Sequence, residues 1–398
     1  MSNFKKNNVL KGKETQKSKI GVISLLPDYA EGGPWMGRHQ ILSRMSAHFN
    51  VIWINPAEEW RRLWLYRDES LKNIKTGFHT HPSQMEIFTP GKFLPKFYSP
   101  NFLSNYFERL RLYFARKRLK SLGCEKIILY LTRPDHYRSL DLCKFDLSCY
   151  HIFDDYSFSD IKGVPNPIEM DLISRCDLPI FSSKIMMNEK GGLNINSIYL
   201  PNGVDVEQFS ALKSEPADLS CIPHPRIGYS GVIKKQLNLP LLLRLAIARP
   251  CWNFVFVGPI MNVSGNESEI RHLQSLANVY FLGNKHSSDL PAYIQHFDVG
   301  LMCYMKNNYT RYITPLKLNE YMASRIPIVA TNLEPLKDFE SCIYLLENDQ
   351  EWLDAIELCI NMDSNVTIKM SNMPNVVKKY DWDSLVLELC NMISSRLR

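Results

Sequence analysis

The sequence predicts an α/β protein of two doubly wound parallel-sheet domains. Short buried-type runs rich in Val, Ile, Phe and Tyr alternate with stretches of helical periodicity. The alternation occurs twice, on either side of a Pro-bearing link at 215–225. A length of 398 residues fits two or three domains, and with 45% hydrophobic and 22% charged residues each can bury a core. The net charge of +6 is a mild bias toward anionic ligands, too small to mark a nucleic-acid binder. Ten cysteines stand singly, without C-x-x-C or Cys/His zinc spacing, and read as reduced thiols of a cytosolic protein. Residues 1–18 are polar and Lys-rich, expected as a disordered basic tail and lacking the apolar stretch of a signal peptide. No run reaches membrane-spanning length.

The first series is expected over 19–205. Residues 20–26 read as a buried strand, followed by a turn-rich loop from Pro27 to Trp35. A helix with Ile41, Leu42, Met45 and Phe49 on one face and a strand at 51–54 come next. This opening is Rossmann-like but lacks G-x-G-x-x-G, which argues against a dinucleotide cofactor. Gly32 and Gly33 either let a ligand approach the backbone at the strand's carboxyl end or simply make a turn. Trp35, Arg38 and His39 follow, with Trp35 either a stacking face for a sugar or a core residue. From 59 to 120 the pattern loosens, except for a helix at 102–120. There Phe102, Leu103, Tyr106, Phe107, Leu110 and Phe114 are the apolar positions, and the second half is basic. Such a helix either packs on a core or lies on an anionic membrane surface.

Strands are expected at 126–132 and 149–153, ending in Arg133-Pro-Asp-His136 and Asp154-Asp155-Tyr156, and again at 178–182 and 198–200. Acid–base groups of α/β proteins sit at such carboxyl ends. Asp155 is the first candidate for a general base and His136 the second; the alternative is that they cap helices or bind loop backbone. Asp154-Asp155 lacks D-x-D spacing. Asp381-Trp-Asp383 has it, but stands at the start of the last helix, where Asp suits the helix dipole. No metal site is expected.

The second series is expected over 206–378. It opens with a strand from 226 closed by Gly231, then a helix at 237–248, a strand at 253–257 closed by Gly258, and a helix at 267–276. A strand at 279–283, a helix at 289–296 and a strand at 299–304 lead to the stretch TPLKLNEYMASRIPIVAT at 314–331. Here Thr314 is expected as N-cap, Pro315 as first helical residue, Leu316 to Ser324 as helix, and 326–331 as the next strand. Lys317 and Glu320, three apart, share a face. A cation in the first turn opposes the helix dipole unless an anion is held there. A carboxylate one turn deeper accepts two adjacent hydroxyls. Phosphate at the helix tip and a diol behind it describe a nucleotide with its ribose; the alternative is an ordinary solvated Lys/Glu pair.

The run PLKLNEYMAS followed by IPIVAT resembles the donor-binding signature of GT-B glycosyltransferases, in particular the large retaining family with an E-x7-E motif, glycosyltransferase family 4 of the group 1 type. LPNGVD at 200–205 is similar to that family's interdomain segment. The resemblance covers nearly the whole chain past residue 19 and is strongest over 226–331. It implies an acceptor-binding domain at 19–205 and a nucleotide-sugar-binding domain at 206–378, facing a central cleft. A terminal helix at 379–398 would pack back on the first domain. It further implies a metal-independent hexosyltransferase that needs no cofactor beyond its nucleotide-sugar substrate and acts on a glycan or lipid-linked acceptor. Bacterial-type cell-surface polysaccharide synthesis, in the cytoplasm or on the inner membrane face through 102–120, is the expected setting.

By the same resemblance Glu320 is the second Glu of the motif and holds ribose. The first falls on Tyr312 and is absent, while Pro315-Leu-Lys317 is similar to the Pro-x-Lys of a subset. The family's diphosphate-binding Arg and Lys fall on Val232 and Leu237. Lys234, Lys235 and Lys317 are their expected substitutes, with Gly231, Gly258, Thr314, Pro315 and Leu316 completing the donor site. Two rival functions share the fold: a nucleotide-sugar 2-epimerase, and a catalytically silent partner subunit.

Overall fold

The computed structural model describes residues 19–31, 36–64, 75–156, 166–313 and 315–397. The first half builds one sheet from β1 (Ile20–Leu25), β2 (Asn50–Ile54), β3 (Gly77–Thr80), β4 (Glu86–Thr89), β5 (Lys126–Leu131), β6 (Leu147–Ile152), β7 (Leu178–Phe181) and β8 (Ile198–Tyr199). Their order is β3-β4-β2-β1-β5-β6-β7-β8. The pairings are parallel except that β3 runs antiparallel to β4 at the edge. Continuous apolar strands such as Ile127 to Leu131 are buried on both faces, the pattern a parallel sheet covered by helices demands.

The second half repeats the plan with β9 (Arg226–Ser230), β10 (Asn253–Val257), β11 (Val279–Gly283), β12 (Val299–Met302), β13 (Ile328–Thr331) and β14 (Tyr344–Leu346). All are parallel, in the order β11-β10-β9-β12-β13-β14. The strand order of the first sheet reverses between β1 and β5, and that of the second between β9 and β12. Crevices at the carboxyl ends of such reversals are where α/β sheets bind ligands.

The chain returns to the first domain at its end. The Trp382–Arg396 helix puts Trp382, Leu385, Val386, Leu389, Cys390 and Ile393 into one core with Ile41, Leu42 and Met45 of the Gly37–Met45 helix. The crossing is fixed by Val204 N–H to the Tyr380 carbonyl at 2.8 Å and Trp382 N–H to the Val204 carbonyl at 3.0 Å. Gly203 is required there, since a Cβ would lie 2.6 Å from the Trp382 ring. Asp381 caps this helix through Ser384 N–H and Asp383 pairs with Arg44, so the Asp-x-Asp spelling is used for structure.

Two parts of the first domain depart from expectation. The edge pair β3 and β4 was not foreseen, because four-residue strands with half-exposed faces give little periodic signal. The Asn101–Ser121 helix buries a different face from the one its aromatic residues suggest. Arg111, Leu112, Ala115 and Leu119 turn inward, with the Arg111 guanidinium donating to the carbonyls of Leu94 and Pro95. Phe102, Tyr106, Tyr113 and Phe114 remain exposed, beside the exposed Arg109 and Lys117. Among the described residues no helix is long and apolar enough to cross a membrane.

A buried charge cluster anchors the loop after β6. Lys190 reaches Asp155 at 2.5 Å and Glu169 at 2.7 Å, and all three are nearly inaccessible. Burial raises the Glu169 pKa while Lys190 opposes it. Replacing Lys190 with Met leaves two carboxylates buried without a counter-charge. Urea unfolding should then show a loss of about 3–5 kcal/mol. A loss below about 1 kcal/mol would mean that the cluster does not hold this region together.

Candidate active site

At the reversal of the second sheet the chain leaves β9 through Gly231 at φ +134° and β10 through Gly258 at φ +147°. Both positions need glycine for space as well as for φ. A Cβ on Gly258 would lie 2.1 Å from the Gly231 carbonyl oxygen, and one on Gly231 would lie 3.1 Å from the Lys317 ammonium. Lys317 comes from the Leu316–Ala323 helix, whose first turn opens onto the same crevice. Pro315 precedes that turn in an extended conformation, φ −67° and ψ 133°, and no side chain caps the free N–H groups. This corrects the expectation that Pro315 is helical behind a Thr314 cap: its ring fixes φ but leaves ψ free for extension. Thr314 itself lies outside the described residues.

The Lys317 ammonium donates to the Tyr304 hydroxyl at 2.9 Å and stands 4.8 Å and 5.6 Å from the ring centres of Tyr229 and Tyr304. Tyr304 is pinned by Thr331, whose hydroxyl accepts its N–H at 2.9 Å and donates to its carbonyl at 3.0 Å. Among the described residues no carboxylate reaches Lys317; its partners are aromatic faces and a neutral hydroxyl. Lys234 is half-buried, its ammonium 5.9 Å from the Tyr309 ring centre. Burial lowers its pKa, Lys317 lowers it further, and Asp154 opposes both. Two ammoniums that repel each other beside an uncapped helix start make a site with a deficit of negative charge. Lys235 is exposed, and its backbone N–H donates to the Asn262 carbonyl. Val232 offers a carbonyl to Tyr229, and Leu237 is buried in the core, so neither brings a cation. Leu316 packs toward the core of the first domain.

One turn deeper, Glu320 faces an interdomain cavity of about 460 Å³, bordered by Arg44 and His81 of the first domain and His286 and Ser288 of the second. Burial lifts its pKa to about 6, against the pull of Lys317. Across the cleft stands Asp154, at the carboxyl end of β6 and open to solvent on one side. Desolvation by its surroundings raises its pKa, while Lys234, Arg38, Arg133 and the Tyr309 hydroxyl of the second domain draw it down.

The expected acid–base groups fall elsewhere. Asp155 is instead buried in the ion pair with Lys190. His136 lines a separate cavity in the first domain, 3.7 Å from Glu108. On the acceptor side His39 is buried against Trp53, ring centres 4.6 Å apart, with burial lowering its pKa; it supports the loop rather than facing the cleft. Arg38 pairs with Asp28 and contributes to the field at Asp154. Gly32, Gly33 and Trp35 lie outside the described residues. Tyr229, Tyr304 and Tyr309 were missed, and Asp154, noted at its strand end, was passed over for Asp155; Tyr304 and Asp154 both sit at strand carboxyl ends, where the same topological rule finds them. Tyr312, where a Glu was expected, instead donates to Glu189 of the first domain at 2.7 Å, alongside Arg311 at 2.8 Å.

Among the described residues no group of three or more His, Cys, Asp or Glu is placed to hold a metal ion. The family model for group 1 glycosyl transferases matches residues 224–361, the region that carries Lys234, Lys317 and Glu320. A putative teichuronic acid biosynthesis glycosyltransferase, TuaH of Bacillus subtilis (strain 168), is 24% identical, over 94% of this chain and 97% of its own. Solved structures share the architecture. Trehalose-6-phosphate synthase from E. coli, bound with UDP-2-fluoro glucose, aligns at TM-score 0.63 and 12% identity, over 95% of this chain and 99% of its own. The UDP-forming enzyme of Burkholderia xenovorans aligns at TM-score 0.60 and 12% identity, over 96% and 99%. Two parallel-sheet domains that align with these structures give the chain the GT-B fold, and the matched group 1 domain and the full-length similarity to TuaH support a glycosyltransferase.

Proposed function

We propose that the chain moves a hexose from a nucleotide-diphosphate donor to a hydroxyl of a glycan or lipid-linked acceptor in cell-surface polysaccharide synthesis. The pathway is suggested by the similarity to a protein named for teichuronic acid biosynthesis. The observation that carries the donor assignment is the Lys317 ammonium, without a carboxylate partner among the described residues, at the start of an uncapped helix and against Gly231.

In this scheme the first-turn N–H groups, Lys317 and Lys234 hold the diphosphate. They also take up the charge that develops on the leaving oxygen as its bond to the sugar breaks. Glu320 accepts the two ribose hydroxyls, and the base extends toward His286 and Ser288. The acceptor hydroxyl attacks from the side of the first domain and its proton passes to Asp154, whose raised pKa strengthens it as a base. Asp154 thereby supplies a carboxylate near the reacting sugar, where the motif has lost one at Tyr312. With two ammoniums at the diphosphate, turnover proceeds without a divalent cation.

Glu320→Ala should raise the donor KM about 10- to 100-fold, the loss of charge-assisted hydrogen bonds worth about 1.5–3 kcal/mol. In the wild type, assayed in EDTA, kcat/KM for donor should fall as pH drops through about 6, because protonation of Glu320 removes an acceptor. Glu320→Gln should abolish that inflection. A donor KM unchanged in Glu320→Ala would refute the ribose assignment.

Asp154→Asn should lower kcat about 10²- to 10⁴-fold with little change in donor KM. A variant that keeps near-wild-type kcat would remove Asp154 from the chemistry.

A further inference from the structure

The first sheet has its own reversal, between β1 and β5, and a second cavity of about 390 Å³ opens there. Its floor is the carboxyl ends of β1, β2 and β5, at Leu25, Ile54 and Arg133, and one wall is the start of the Asn101–Ser121 helix. The size is that of a small-ligand pocket. Its charge is unbalanced. Among the described residues Lys96, Arg111, Arg133 and Arg138 line it, against the carboxylates of Glu108 and Asp135.

The two acids are already engaged. Arg133 pairs with Asp135 at 2.9 Å, and Glu108 accepts from Ser139 and lies 4.0 Å from Arg111. Arg111 is itself directed at backbone carbonyls. That leaves Lys96 and Arg138. The Lys96 ammonium stands 4.8 Å from the Tyr98 ring centre. Arg138 donates to two neutral oxygens, the Tyr137 hydroxyl at 3.1 Å and Asn101 Oδ1 at 3.0 Å. Neither makes an ion pair among the described residues. Arg133, which borders this cavity, also reaches over the Tyr156 ring, 5.8 Å from its centre and two residues past Asp154, and is one of the cations that draw the Asp154 pKa down.

We propose that this cavity is a subsite for an anionic acceptor, with Lys96 and Arg138 binding a phosphoryl or carboxylate group while Arg133 borders the reacting hydroxyl. A guanidinium fork and an ammonium converge on such oxygens, and an aromatic edge at Tyr98 flanks the sugar that carries them. The anion site stands on this cavity's own residues; its acceptor role rests on the transferase assignment above. It narrows the acceptor from any hydroxyl to a charged saccharide or a phosphate-linked carrier.

The test uses the full chain without donor. Inorganic phosphate and glucuronate are titrated calorimetrically into the wild type, Lys96→Ala, Arg138→Ala and Arg138→Lys, with UDP and GDP titrated into the same proteins. At least one of the two anions should bind the wild type, and the tighter of them identifies the charged group. Each Ala variant should weaken that anion about tenfold, in line with one charge-assisted contact, and Arg138→Lys should weaken it less. Nucleotide affinity should stay unchanged in all variants, which also shows that they are folded. The proposal is overturned if neither anion binds, if the Ala variants bind it as the wild type does, or if saturating nucleotide displaces it. Anion binding that persists where no nucleotide binds would count against the donor assignment and leave this site standing.

Discussion

The structure turns on one ammonium group. Lys317 is held at a helix start by two tyrosine rings and a hydroxyl, with glycine backbone packed against it and no acid to neutralise it among the described residues. Several features accompany it. Gly231 must lack a Cβ, Gly258 must let the Gly231 carbonyl through, and Thr331 must fix Tyr304 from the neighbouring strand. A cation at that end of a helix opposes the dipole, and a second one, Lys234, aggravates the strain.

The second domain does not work alone. Tyr312 and Arg311 hold Glu189, and Asn319 donates to the Asn202 carbonyl at 2.8 Å. The terminal helix completes the first domain's core only after the chain has built the second. These ties fix the first-domain loops that carry Glu189 and Asn202 against the second domain. The buried Lys190 cluster keeps the loop that carries Asp154 in place from behind.

Much of the fold was legible because a parallel sheet writes itself as continuous apolar runs separated by helices. The runs around Val22, Ile128 and Phe254 and the Lys317–Glu320 face were all visible in this way. What was not legible depended on tertiary contact. Whether Asp154 or Asp155 faces the cleft is decided by a partner, Lys190, that lies 35 residues away in sequence. The inward turn of Arg111 depends on carbonyls of the 94–95 loop, and the aromatic residues of that helix gave the opposite impression. His39 looked like a ligand-facing residue and is instead buried in support of the loop, its ring tilted against a strand residue, Trp53, that local sequence does not reveal. The tyrosine cage of Lys317 draws on three separate segments, and no spacing rule links Tyr229, Tyr304 and Lys317.

The most direct measurement is calorimetric titration of UDP and GDP, each alongside its free nucleoside, into the wild type and Lys317→Met. If the uncompensated ammonium holds a diphosphate, the substitution weakens the preferred nucleoside diphosphate about 10- to 100-fold and changes nucleoside binding by less than about threefold. Equal diphosphate affinity in the two proteins would contradict the account at its centre.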